Sequence, residues 1–138
     1  MGLTIEQLFG TLQQSVVATW RKHLRAAKYS KHMALDEFYK KMPELVDNLI
    51  EAYMGNKGSK IKDYENILQS SNQNTLKYLN ELKKIVKEGY EIIGDDESIK
   101  ACLDSILELI NSTLYKVKEL GESKSYTSLT DYIKESLK

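Results

Sequence analysis

Four side chains with metal-ligand chemistry follow one another in a regular order between residues 23 and 51. They are His23, His32, Asp47 and Glu51, and the first two are the only histidines of the chain. Neutral imidazoles together with carboxylates suit iron, manganese or zinc. Asp47 and Glu51 are four residues apart, so a helix places them on one face. These four residues are the candidate metal ligands of the sequence.

A helical stripe of apolar residues follows His32, and both carboxylates lie within its range. Pro43 lies inside this stripe, which keeps its phase on both sides, so the pattern predicts one kinked helix that ends near Gly55. The apolar positions of the stripe are Leu35, Phe38, Tyr39, Met42, Leu45, Val46, Leu49, Ile50 and Tyr53.

The length of this helix decides how the four candidate ligands could meet. His32 and Asp47 are separated by about 22 Å along one helix, because each residue adds about 1.5 Å. A single chain therefore cannot close both residues onto one ion. An antiparallel two-fold pairing of this helix could do so, by setting His23 and His32 of one chain against Asp47 and Glu51 of the other. The sequence thus predicts a homodimer with two equivalent sites.

The other apolar stripes predict three more long helices around this one. A capping box at Thr4 begins a helix over residues 5–26, followed by a connection over 27–31. Two further helices are predicted over 74–93 and 99–120, the last ending at Gly121, and a short C-terminal helix contains Leu129, Ile133 and Leu137. The long segment 54–71 favours a crossover, so we expect one all-α domain over 1–138, a ferritin-like four-helix bundle with one long crossover. A plain up-down bundle is the alternative.

Composition excludes several classes of function. Twenty basic and twenty acidic residues give a formal charge of zero, which argues against general nucleic-acid binding. Cys102 is the only cysteine, so an intrachain disulfide is excluded and a reducing, cytoplasmic setting is expected. We find no signal peptide and no apolar run of the ~20 residues that span a membrane. Phosphate loops, nucleophile triads and zinc Cys/His spacings are also absent from the sequence.

The order His-x8-His-x14-Asp-x3-Glu on the first two helices resembles the inter-subunit ferroxidase motif of Dps proteins, the mini-ferritins of starved bacteria. The resemblance implies iron at a dimer interface, bound by His23 and His32 of one subunit and by Asp47 and Glu51 of its mate. Fe(II) oxidation by peroxide or oxygen is the chemistry it implies. The segment 23–55 is still more similar to small ferritin-like proteins of bacteriophages. The Glu-x-x-His pairs of an intra-bundle di-iron site are absent.

A basic cluster near the turn between the first two helices supports a rival function. Its residues are Arg21, Lys22, Arg25, Lys28 and Lys31. It is either a solvated helix end or a site for a small anion or nucleotide. On the second interpretation the protein is a non-enzymatic phage or bacterial binding protein, which uses the dimeric bundle to hold an anion, a nucleotide or a protein partner.

Overall fold

The four long helices form where apolar residues recur at steps of three and four. The computed structural model describes residues 2–70, 74–122 and 133. Its elements are α1 (Ile5–Arg25), α2 (Tyr29–Lys57), α3 (Thr75–Ile92), α4 (Glu97–Lys116) and a π-helical segment (Val117–Glu122). No strand occurs in this part of the chain. The predicted all-α four-helix bundle is confirmed, and none of the described helices is long and apolar enough to cross a membrane.

The helices form a ring in which α1 and α4 each pack against both α2 and α3. Gly89, late in α3, faces Leu8, early in α1, so these two helices are antiparallel. Lys116 at the end of α4 pairs with Glu37 near the start of α2 at 2.6 Å, so α2 and α4 are antiparallel as well. The core is aliphatic, with Phe9, Phe38 and Tyr78 as its largest fully buried side chains, together with leucines, isoleucines and Met42.

The segment between α2 and α3 is extended over residues 60–70 and lies along α1. Three hydrogen bonds hold it there: the Glu65 amide to the Glu6 carbonyl (3.1 Å), the Ile67 amide to Thr11 Oγ1 (3.0 Å), and Lys22 Nζ to the Ser70 carbonyl (3.0 Å). These contacts run from the first to the last turn of α1. The segment therefore covers one side of α1, and its own Leu68 is buried in the core cluster that contains Phe9 and Leu12.

Two helix ends differ from the sequence predictions. The prediction that Gly55 ends the second helix is wrong, because the helix continues to Lys57 and the cap is Gly58 in the left-handed region, φ 72°. Glycine adopts that conformation without steric cost, whereas Gly55 is simply helical. The α-helical part of α4 ends at Lys116, so Gly121 lies within the π-helical segment rather than ending an α-helix.

Other predicted bounds are closer to the structure. Pro43 lies inside one helix, as predicted. The connection between α1 and α2 is shorter than expected, because α2 already begins at Tyr29. Of the predicted C-terminal helix, Leu129 and Leu137 lie outside the described residues.

Gly10 is the position at which α1 and the extended segment come closest. A Cβ added there would lie 2.3 Å from the Glu65 backbone nitrogen, a contact that only backbone movement could relieve. We expect Gly10→Ala to lower the free energy of unfolding by about 1–3 kcal/mol, as overpacking does. The measurement is urea unfolding followed by circular dichroism.

Gly55→Ala is the matched control, because a Cβ at this helical, exposed glycine meets nothing within 4 Å. Alanine is favoured over glycine in helices, so this variant should gain about 0.5–1 kcal/mol of stability. Equal effects of the two substitutions would contradict the close approach at Gly10.

Candidate metal centre

His23 and His32 meet across the turn between α1 and α2. Their rings stack with centroids 3.6 Å apart and planes 27° from parallel. His23 Nδ1 lies 2.7 Å from the His32 carbonyl oxygen, and His32 Nδ1 lies 3.0 Å from the His23 carbonyl oxygen. A carbonyl oxygen only accepts, so each Nδ1 must hold a hydrogen and donate it. In the neutral rings, each Nε2 therefore has a lone pair that could bind a metal.

Asp36 is the acidic partner of this histidine pair, and the sequence analysis missed it. Its Oδ1 lies 3.9 Å from His23 Nε2, which is too long for a hydrogen bond. Two electron-pair donors thus face each other across a gap. Metal–nitrogen and metal–oxygen bonds are each about 2.0–2.2 Å, so an ion fits between them with both bonds made. His23 and Asp36 are therefore close enough for one ion to contact both of them.

Lys40 is the cation that Asp36 already has. Its Nζ lies 3.0 Å from Asp36 Oδ1, one helical turn along α2. The hydrogen bond from Lys40 lowers the pKa of Asp36, with a further hydrogen bond from Tyr39 adding to the effect. The same hydrogen bond raises the pKa of Lys40. Asp36 is therefore held in its ionised form, which is the form that binds a cation.

The structure keeps the predicted carboxylates away from the histidines of the same chain. Asp47 and Glu51 are exposed on α2. Asp47 lies about 22 Å from His32 along the helix axis. Among the described residues of one chain, no group of three or more His, Cys, Asp or Glu side chains is arranged to hold a metal. Within a single chain, the predicted ligands thus lie in two separate groups.

The Trp20–Tyr39 stack and the groove beside Asp47 lie on one surface of the first two helices, which we call the α1–α2 face, and the neighbouring His23 side chain is buried. The part of this face away from the α1–α2 turn contains a groove of about 310 Å³. It is lined by Gln13, Val16, Val17, Pro43, Val46, Asp47 and Ile50. One turn further, Trp20 stacks on Tyr39 with centroids 5.9 Å apart, although Trp20 is 48% exposed. The Tyr39 ring also packs against the His23 ring, with centroids 5.1 Å apart. Apolar side chains therefore connect Asp47 to the histidine pair.

The basic cluster at the same end of the bundle is partly engaged inside the chain. Lys22 is buried, donates to the Ser70 carbonyl, and lies with its Nζ 5.3 Å from the centroid of the Tyr78 ring. Burial lowers the pKa of Lys22, and the nearby Arg25 and Lys31 lower it further. Lys22 thus fastens the segment before α3 to the end of α1.

Comparison with known proteins gives one match. A family model described as a family of unknown function, DUF5856, matches residues 23–117. The chain belongs to this family. The matched range begins at His23 and includes all of the candidate ligands. No curated protein and no solved structure matches the chain.

The spacing of Asp36 along the helix indicates that it is a further candidate ligand, although its distance to His23 requires the structure. It lies four residues after His32, which is one helical turn, and eleven before Asp47, which is close to three turns. A helix therefore places Asp36 on the stripe that contains Asp47. The sequence analysis considered only Asp47 and Glu51, the two carboxylates four residues apart. It did not consider Asp36, which has Lys40 one helical turn away.

The reciprocal hydrogen bonds fix the tautomer of both histidines. In the neutral form, we expect His23 and His32 to hold their hydrogen on Nδ1, the less common tautomer in free histidine. Long-range ¹H–¹⁵N correlation spectra of the rings distinguish the two nitrogens directly. Protonated Nε2 with bare Nδ1 in either ring would contradict the geometry described here.

Proposed function

We propose that this protein binds a transition metal, iron in the first place and manganese or zinc as alternatives, in two equivalent sites at a homodimer interface. The observation that supports the proposal is the 3.9 Å distance between His23 Nε2, a lone-pair donor in the neutral ring, and Asp36 Oδ1. His32 supplies the second imidazole. The partner chain supplies Asp47 and Glu51.

The spacing of the ligands along α2 supports this pairing. The midpoint between Asp36 and Asp47 is also the midpoint between His32 and Glu51. In an antiparallel pair of helices, a two-fold axis at that point sets Asp36 opposite the partner's Asp47. The same axis sets His32 opposite the partner's Glu51. A single two-fold axis therefore brings the histidines and Asp36 of each chain to the Asp47 and Glu51 of the other, which gives two equivalent sites.

Surface chemistry supports a second copy as the occupant of the α1–α2 face. Trp20 and Tyr39 lie near the midpoint, where large aromatic residues contribute most to interface affinity. The end of the face near the α1–α2 turn is basic, whereas Glu44, Asp47 and Glu51 are exposed towards the other end. Antiparallel pairing brings the basic end of one chain to the acidic end of the other, which favours association.

Each ligand type has a defined part in this centre. Imidazole Nε2 atoms bind the ion in neutral rings that the Nδ1 hydrogen bonds hold in place. The carboxylates of Asp36, Asp47 and Glu51 neutralise its charge and prefer a harder, higher oxidation state. Bound iron would supply a one-electron couple for Fe(II) oxidation by oxygen or peroxide, which makes ferroxidase activity or iron sequestration the proposed outcome.

A mixed dimer separates this arrangement from a site within one chain. His32→Ala and Asp47→Ala are prepared with different tags, co-expressed, and purified through both tags. By two-fold symmetry, one interface site of the mixed dimer lacks both residues and the other retains every ligand. We expect about half of the wild-type metal content by mass spectrometry, and little in either single-variant dimer. Sedimentation verifies the dimer.

Glu88→Ala is the control, because Glu88 is an exposed carboxylate on α3, away from the α1–α2 face. Its dimers should retain the full metal content. A mixed dimer with no more metal than the single variants would show that each site belongs to one chain. A wild-type protein that is monomeric or binds no metal would refute the proposal altogether.

A further inference from the structure

Lys40 occupies the oxygen atom that the proposed metal would need. Its Nζ lies 3.0 Å from Asp36 Oδ1, and this is the oxygen that faces His23 Nε2 at 3.9 Å. An ammonium and a metal ion cannot both take the full charge of one carboxylate oxygen. The resting chain thus holds a cation of its own at the half-site.

We propose that Lys40 is a built-in competitor of the metal, which neutralises Asp36 until a divalent ion displaces it. This inference rests on the proposed metal centre and adds regulation of metal binding to it. Lys40 then determines the free metal concentration at which the site fills. It also determines which class of cation can fill the site.

The pair is exposed enough to be displaced. The Lys40 side chain is 63% exposed and that of Asp36 is 21% exposed. Ion pairs between exposed groups are weak, because water and salt screen them. A divalent ion brings twice the charge of the ammonium and also binds the His23 lone pair directly. A monovalent ion has only the charge of the ammonium it would replace, so it gains too little to enter.

The ammonium of Lys40 has another favourable position near Asp36. Lys40 Nζ lies 6.0 Å from the centroid of the Tyr39 ring, whose face attracts cations. A small rotation about the lysine side chain is therefore sufficient, and the helix does not need to move. Because the Lys40 side chain is exposed, its ammonium can also turn into solvent.

The next residue of α2 provides a matched control. Lys41 pairs with Glu37 at 2.6 Å over the same spacing of four residues, and its side chain is 61% exposed. Glu37 also pairs with Lys116 of α4, so this second pair belongs to the contact between α2 and α4. Lys41→Met and Lys40→Met remove the same charge from neighbouring exposed positions, but only the latter uncovers Asp36.

The experiment is a titration of metal-free protein with Co²⁺, a spectroscopic substitute for iron and zinc, followed by calorimetry with Zn²⁺. We expect Lys40→Met to lower the metal Kd by about tenfold, since it removes both a competitor and a nearby positive charge. Lys41→Met should stay within about twofold of wild type, because its charge is screened over the longer distance. In an Asp36→Asn background, Lys40→Met should lose its advantage over Lys41→Met.

The outcomes separate this inference from the metal centre itself. If wild type binds metal but Lys40→Met binds no tighter than Lys41→Met, the competitor role is refuted and the centre stands. If Lys40→Met retains its advantage in the Asp36→Asn background, the contact with Asp36 is not the cause, and the competitor role is again refuted. If neither wild type nor Lys40→Met binds Co²⁺ or Zn²⁺, the centre and the inference fail together. If only Lys40→Met binds metal, a divalent ion does not displace Lys40 from Asp36 in the wild type, so the centre and the inference are both refuted.

Discussion

The reciprocal hydrogen bonds between His23 and His32 are the interaction on which the proposed site depends. Each ring donates its Nδ1 hydrogen to the backbone carbonyl of the other histidine at the α1–α2 turn. The His23 carbonyl also accepts from the Ala26 amide. One contact therefore closes the turn and stacks the rings, and it leaves both Nε2 atoms as lone-pair donors. The turn and the metal chemistry have the same cause, so a change in either histidine affects both.

Distance along α2 is the second constraint. Because one helix places His32 and Asp47 about 22 Å apart, a chain alone brings together only part of the proposed ligands, and the imidazole and carboxylate that lie close together are those of His23 and Asp36. Two donors hold a metal weakly. In the proposed centre, a second chain brings further carboxylates, so metal binding and dimer formation are thermodynamically linked and each strengthens the other. Without metal, the carboxylates of both chains would repel one another, and Lys40 offsets that repulsion at Asp36.

Much of the fold could be predicted from the sequence, because periodicity decides which segments are helical. Thr4 and Gln7 form the predicted capping box, and the apolar stripe continues through Pro43 as expected. The choice between Gly55 and Gly58 could not be made, since both glycines permit a helix end and only tertiary contacts select one. Metal binding at the candidate site stays a prediction, and only the positions of its residues can be compared with the structure. His23 and His32 do meet, but the role of Asp36 depends on a distance between helices that spacing alone does not give.

X-ray diffraction from crystals grown with Zn²⁺, measured at the zinc absorption edge, tests the central claim most directly. The account predicts an anomalous peak between two chains, about 2.0–2.1 Å from His23 Nε2 and about 2.0–2.2 Å from a carboxylate oxygen of the partner's Asp47 or Glu51. It also predicts that Lys40 Nζ has moved away from Asp36. A peak whose protein ligands all come from one chain, or no peak beside His23, would contradict it.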